Sequence, residues 1–355
     1  MALSREEIES LVKNGPLLRD MDLSMSDLRH IRLCGVIFER VNLCKADLSG
    51  AIMEGCIFSE TDCTYAIFNG ARLNGSSFFS SRLVGALCRN IDFTNCVFHE
   101  TDFTDVDMAG ACLSNASISK SILEKVNFAE AVLLNASVSQ SQLMFINFTD
   151  ADLTRFTAPS CDLTKVAFER TNLTKAILIG ANLRGQEFRD CTFVLTIFDG
   201  ASLAFAELSG SDLSKASFAG ADLTGAILKG VKGEFTSFLG AQATETDFSS
   251  SSFHMANFSE ADLSRSNFNG ASAPKSLFVK AIFDGAVLRG ADLRYTDFSH
   301  ANVRGADFTH ADISVANVHG VNMGKARWEK SNRNGLRMTD TNLAEAEVWQ
   351  SPVHK

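Results

Sequence analysis

Proline is nearly absent from this chain, at 4 in 355 residues, and tryptophan and tyrosine occur twice each against 28 phenylalanines. So narrow an aromatic set excludes a core assembled from many different environments and points to one environment used repeatedly. Long apolar runs are missing too. No stretch approaches the roughly 18 apolar residues of a spanning helix, so no membrane span is expected. The start, MALSREEIESLVKNGP, is acidic and holds no uninterrupted apolar run, which excludes a secretory signal. Nine cysteines are present without any Cys-X-X-Cys spacing, so neither a metal knuckle nor a redox pair is expected. Positive charge is in deficit, with 33 Lys and Arg against 42 Asp and Glu. A net charge of −9 disfavours a general nucleic-acid binder, and no direct nucleic-acid binding is expected. These absences fit a cytoplasmic, reduced protein whose acidic surface has room for basic partners.

What the chain does have is a period. In ADLRYTDFSHANVRGADFTHADI, from Ala291 to Ile313, every fifth residue is apolar: Leu293, Phe298, Val303, Phe308 and Ile313. Two places before each centre stands a small residue, as at Ala291, Thr296, Ala301, Ala306 and Ala311. The phase holds from Leu18 to Val348 in steps of five, and only Ala158, Gly233, Ala243, Ala273 and Arg333 are small or polar centres. A second period of twenty lies inside the first. One column reads Phe38, Phe58, Phe78, Phe98 and, later, Phe198, Phe218, Phe238, Phe258, Phe278, Phe298, while the next favours leucine.

A period of five is neither helical nor extended, but four fives close a square turn. Each pentad forms one side, with its centre and small residue pointing inward. Phe sides then face each other across Leu sides. Stacking 16 to 17 such turns at about 4.8 Å predicts an all-β rod on the order of 80 Å long, stabilised by nearest-neighbour contacts. Cys56, Cys96, Cys161 and Cys191 occupy the small slot and Cys63 and Cys88 the apolar slot, as small hydrophobes do.

Sequences such as Ala221-Asp222-Leu223-Thr224-Gly225 and Ala256-Asn257-Phe258-Ser259-Glu260 are similar to those of the pentapeptide-repeat proteins. That resemblance implies a right-handed quadrilateral β-helix and a scaffold with many unrelated uses. The expected organisation is a capping helix over residues 1–16, one continuous β-helix over 17–350 and a tail over 351–355. Ser4 and Glu7 have capping-box spacing, Ile8, Leu11 and Val12 form an apolar face, and Gly15-Pro16 stops the helix. This helical start also resembles that of the pentapeptide segments of type VI secretion accessory proteins. Trp328 and Trp349 are expected to plug the last turns.

No catalytic constellation emerges, and neither a cofactor nor a bound metal is expected. The seven histidines are scattered: His300 and His310 lie half a turn apart, and neither His254 nor His319 stacks on another. Asp152, Asp212, Asp262 and Asp292 each precede a centre and read as turn residues bonded to local backbone. Gly230-Val231-Lys232-Gly233 lacks the Walker spacing.

Surfaces remain. Leu195, Phe235, Met255, Tyr295 and Val315 line up in one outward column, with Lys215 and Lys275 between them. They read either as a docking stripe or as ordinary exposed apolar residues. Gly233, Ala243 and Ala273-Pro274 lie in the same stretch and read either as a bend or shallow dent or as neutral drift in a tolerant repeat. Lys325, Arg327, Lys330, Arg333 and Arg337 stand against Glu329 alone, which makes a basic tip. It either contacts an acidic partner or discourages end-to-end stacking. Residues 51–150 carry 11 acidic and 5 basic side chains. The leading functional expectation is a non-enzymatic protein-interaction scaffold, in keeping with a secretion-system accessory or effector. The alternative, from the family resemblance, is a DNA mimic that binds DNA gyrase.

Overall fold

A computed structural model describes residues 5–13 and 15–348. Each run of five residues makes one side of a coil, and the small residue and the centre both turn inward. The backbone turns a corner at the fifth residue, two after the centre, which takes the left-handed conformation: Arg40 (φ 51°), Asn95 (φ 58°) and Phe145 (φ 58°) are examples. Three amide bonds per side then tie one coil to the next. Around Leu43, for instance, Asn42 N donates to Met21 O at 2.8 Å, Leu43 N to Asp62 O at 2.7 Å and Lys45 N to Thr64 O at 2.9 Å. The pairing is parallel with a register of twenty on all four sides, as in Leu17↔Ile37, Asp22↔Asn42, Asp27↔Asp47 and Arg32↔Ile52. The result is a four-sided parallel β-solenoid, as the period predicts.

The described chain divides into two compact units. Unit 1 comprises residues 1–182 and 187–193. Helix α1 (Arg5–Lys13) buries Ile8 completely, while Leu11 stays 47% exposed. The expected apolar face is therefore narrower than the sequence suggests, because a helix of nine residues presents little more than one position to the coil below. Ser4 lies outside the described residues. The core is a stack of rings: Phe38, Phe58, Phe78 and Phe98 follow one another at centroid distances of 4.7, 4.3 and 5.0 Å. Where Ala158 replaces a large centre, Phe156 takes over the neighbouring small slot and packs edge-on against Phe148 at 6.1 Å. The swap conserves volume. Between residues 140–145 and 159–165 the ladder lapses on one side. There Gln142, Met144, Asp162, Thr164 and Lys165 line a surface cavity of about 410 Å³.

Unit 2 comprises residues 183–186 and 194–355. Its phenylalanine column, Phe198 to Phe298, stacks at 4.9, 5.1, 4.6, 5.0 and 4.9 Å. At Gly233 the inward space that the missing side chain leaves is filled by the Phe253 ring. A β-carbon on Gly233 would lie 2.5 Å from Phe253 Cδ1. The same ring meets Phe238 and Phe248 edge-on at 5.6 Å each.

The C-terminal boundary also differs from the expected 350. The last rung is Asn317↔Arg337, a 3-10 turn interrupts one side at Met323–Lys325, and Thr341–Val348 forms a second helix, α2. The pentad phase continues there in letters only. Trp328 is half-buried, stacked 4.1 Å from Phe308, with its indole N–H donating to Met323 O at 2.7 Å. Trp349 lies outside the described residues.

Candidate functional site

The inward positions are filled mostly by hydrocarbon, with buried hydroxyls and thiols in some small slots, and the charged groups lie on the outside. Most of the aspartates there are occupied with the backbone. Asp152 accepts from Thr154 N at 3.0 Å, Asp212 from Ser214 N at 2.9 Å, Asp262 from Ser264 N at 3.0 Å and Asp292 from Arg294 N at 3.3 Å. These are the turn bonds the sequence leads one to expect.

The outward apolar column lies wholly in unit 2. Leu195, Phe235, Met255, Tyr295 and Val315 all sit at left-handed corners, with φ between 56° and 63°. Each corner amide is held by the next coil: Leu195 N donates to Ser214 O, Phe235 N to His254 O, Met255 N to Pro274 O, Tyr295 N to Ser314 O and Val315 N to Asn334 O, at 2.9 to 3.1 Å. Lys215 and Lys275, in the same conformation, complete the column. Tyr295 is 57% exposed, Phe235 50%, Met255 43% and Leu195 39%, and Val315 is partly covered. A left-handed corner aims its side chain away from the coil, so these apolar groups are held out by a backbone that cannot retract them.

The basic residues Lys325, Arg327, Lys330, Arg333 and Arg337 are all exposed at the end of the ladder in unit 2. Lys325 closes the 3-10 turn and Arg327 continues the rung from Asp307. Glu7 on α1 is also exposed.

One grouping escapes the sequence reading. His300 and His319 are neighbours, with ring centroids 5.1 Å apart and planes at 80°, and Glu347 of α2 reaches both. His300 Nε2 lies 3.2 Å from Glu347 Oε1, and His319 Nε2 lies 3.3 Å from Glu347 Oε2. His319 is buried, and the two imidazoles hold the Glu347 carboxyl below its ordinary range, the His319 hydrogen bond being the larger influence. The signal was a separation of nineteen: a corner and the residue just before the corner one coil later are adjacent. The glutamate carried no signal, because α2 breaks the pentad phase.

Among the described residues, no helix is long and apolar enough to cross a membrane.

Comparisons place this geometry among known proteins. The crystal structure of HetL, a pentapeptide repeat protein involved in heterocyst differentiation regulation from the cyanobacterium Nostoc sp. strain PCC 7120, shares 25% identity over 73% of this chain and 91% of its own, with a TM-score of 0.27. Full-length QnrB1, a plasmid-mediated fluoroquinolone resistance protein, shares 18% identity over 65% of this chain and 96% of its own, with a TM-score of 0.27. A pentapeptide repeat protein of the Arabidopsis thaliana thylakoid lumen shares 27% identity over 36% of this chain and 68% of its own, with a TM-score of 0.17. A search of curated proteins finds no significant match. None of these comparisons supports the type VI secretion resemblance of the helical start. The Pentapeptide repeats family model matches in successive segments, from residues 21–59 through to 291–327. With nearly its whole ladder so matched, the chain belongs to the pentapeptide-repeat family.

Proposed function

We propose that this chain is a non-enzymatic scaffold for protein–protein interaction, and that unit 2 docks its partner along the corner column from Leu195 to Val315. The observation that carries the reading is one column of hydrogen-bonded corners in which apolar side chains, four of them exposed, alternate with Lys215 and Lys275. Ordering costs little in such a surface, since the backbone is already held, and rigid aromatic anchors such as Phe235 and Tyr295 lose few rotamers on binding. Lys215 and Lys275 favour a partner with apolar residues flanked by carboxylates. The basic tip from Lys325 to Arg337 extends the same preference for acidic surfaces.

The test is a cross-linking capture comparing the native chain with Phe235→Asp/Tyr295→Asp. Loss of a partner defined with the native chain is expected, at a cost of about 2 kcal/mol or more per anchor. Unchanged recovery of that partner sinks the stripe.

A second reading rests on a different feature, the 11 acidic against 5 basic side chains over residues 51–150 of unit 1. A surface of that sign suits a DNA mimic acting on DNA gyrase. Inhibition of gyrase supercoiling by both the native chain and the double variant would favour this reading over the stripe.

A further inference from the structure

We propose that His300, His319 and Glu347 form a binding site for a divalent transition ion of the zinc class, which fastens α2 to the last coil of unit 2. The ligand set is the first argument. Two imidazoles and a carboxylate suit zinc, whereas calcium and magnesium prefer all-oxygen shells. The three donor atoms lie within 4.8 Å of one another, and the two nitrogen–oxygen separations are 3.2 and 3.3 Å. Donors about 2.0–2.1 Å from a tetrahedral ion stand about 3.3 Å apart, and each imidazole already has that spacing to its own Glu347 oxygen, His300 to Oε1 and His319 to Oε2. Rotation of His300, whose side chain is 37% exposed, would bring both ring nitrogens to one ion on that carboxylate.

The surroundings make room for that ring. Gly320 lies beneath it, and a β-carbon there would stand 2.5 Å from His300 Nδ1. Three protein ligands leave a fourth position for water or for a side chain of a docked partner.

His319 supplies a readout of the site, because its other nitrogen reports the metal-free state. Asp340 N donates to His319 Nδ1 at 3.1 Å, so the neutral ring carries its proton on Nε2 and gives it to Glu347. An ion on Nε2 requires that proton to move to Nδ1, with no net proton gained or lost by the ring. The Asp340 amide must then turn away. Asp340 also caps α2, accepting from Asn342 N and Leu343 N at 3.0 and 3.1 Å. Metal binding is therefore coupled to an adjustment at the first turn of α2. One backbone hydrogen bond is a small loss against an ion–ligand set.

The test is calorimetric titration of the full chain with zinc chloride, with magnesium chloride as control, on the native protein, His300→Gln and Glu347→Gln. Both substitutions are at exposed side chains, so the fold is retained. One zinc per chain is expected, weakened by more than about tenfold in each variant, with no magnesium uptake. Long-range proton–nitrogen spectra of His319 provide a second readout, in which zinc shifts the ring from the Nε2–H to the Nδ1–H form. Absence of stoichiometric zinc uptake, uptake indifferent to both substitutions, or a His319 ring that keeps its Nε2–H form with zinc bound would each overturn the proposal.

Discussion

At the scale of single residues, the repeat assigns an environment to each cysteine, and the environments differ in chemistry. Cys56 and Cys96 fill inward slots, where burial pushes their thiols up to about 12, and Cys191 is pushed up to about 11 for the same reason. Cys63 is raised further by complete burial. Cys112 behaves oppositely. Its partial burial alone would raise it, but the Ser114 and Thr94 hydroxyls, 3.4 and 3.2 Å from the sulfur, bring the thiol below its ordinary value. Since the thiolate is the reactive form, alkylation of the folded protein near about pH 8 should label Cys112 and the exposed Cys34 and spare the inward cysteines. Peptide mass spectrometry reads the order. Thr94→Val with Ser114→Ala should slow Cys112, and labelling of Cys56 or Cys63 at the Cys112 rate would contradict the assignment.

At the scale of the coil, volume is conserved around each turn rather than at each position. Phe156 with Ala158, and Phe253 with Gly233, show a large ring covering for a small neighbour. Gly233→Ala is therefore expected to destabilise, although alanine occupies comparable centres at 243 and 273. The added β-carbon would meet Phe253 at 2.5 Å and Thr236 Oγ1 at 3.1 Å. Overpacking of this kind costs about 1–3 kcal/mol, which a denaturant titration resolves. Combining it with Phe253→Leu should recover part of the loss, and full additivity of the two would contradict the packing account. The period of twenty puts Phe253 on the coil next to Gly233, but only the tertiary structure shows its ring leaning into the space the glycine leaves. Conversely, Ile8 was legible as a cap contact and Leu11 misleading, since amphipathic spacing does not say how much of a short helix meets the coil.

At the scale of the whole molecule, carboxylates are held below their ordinary range on many coils. In Asp307 burial alone would raise the carboxyl, but the Thr309 hydroxyl and amide and Arg289, whose guanidinium lies 2.7 Å away, outweigh it. Asp150 is lowered chiefly by its hydrogen bonds from Arg170, and Asp292 chiefly by those from Arg294. A carboxyl lowered on folding stabilises the fold fully above its unfolded value and loses that contribution as pH falls toward its folded value. The melting temperature is thus expected to hold from neutral pH down to about 5 and to fall below about 4. Asp307→Asn should start lower at neutral pH and fall less steeply in acid. An acid slope identical to that of the native chain would exclude Asp307 as a contributor.

Much about this protein follows from the sequence by itself. A five-residue period with small and apolar positions alternating inward leaves one economical solution, a four-sided coil, because no helix or flat strand can bury that pattern. The turn role of the aspartates, the buried thiols and the phenylalanine stack follow from the same period, since every coil repeats the environment of the last. Tertiary structure alone decided what lies outside or beyond the period: the end of the ladder at Arg337, helix α2, the ring over Gly233 and the meeting of His300, His319 and Glu347. These depend on which residues close over one another in space. The period gives which positions stack, but which side chain leans into a gap, and the docking of α2, leave no mark in the spacing of letters along the chain.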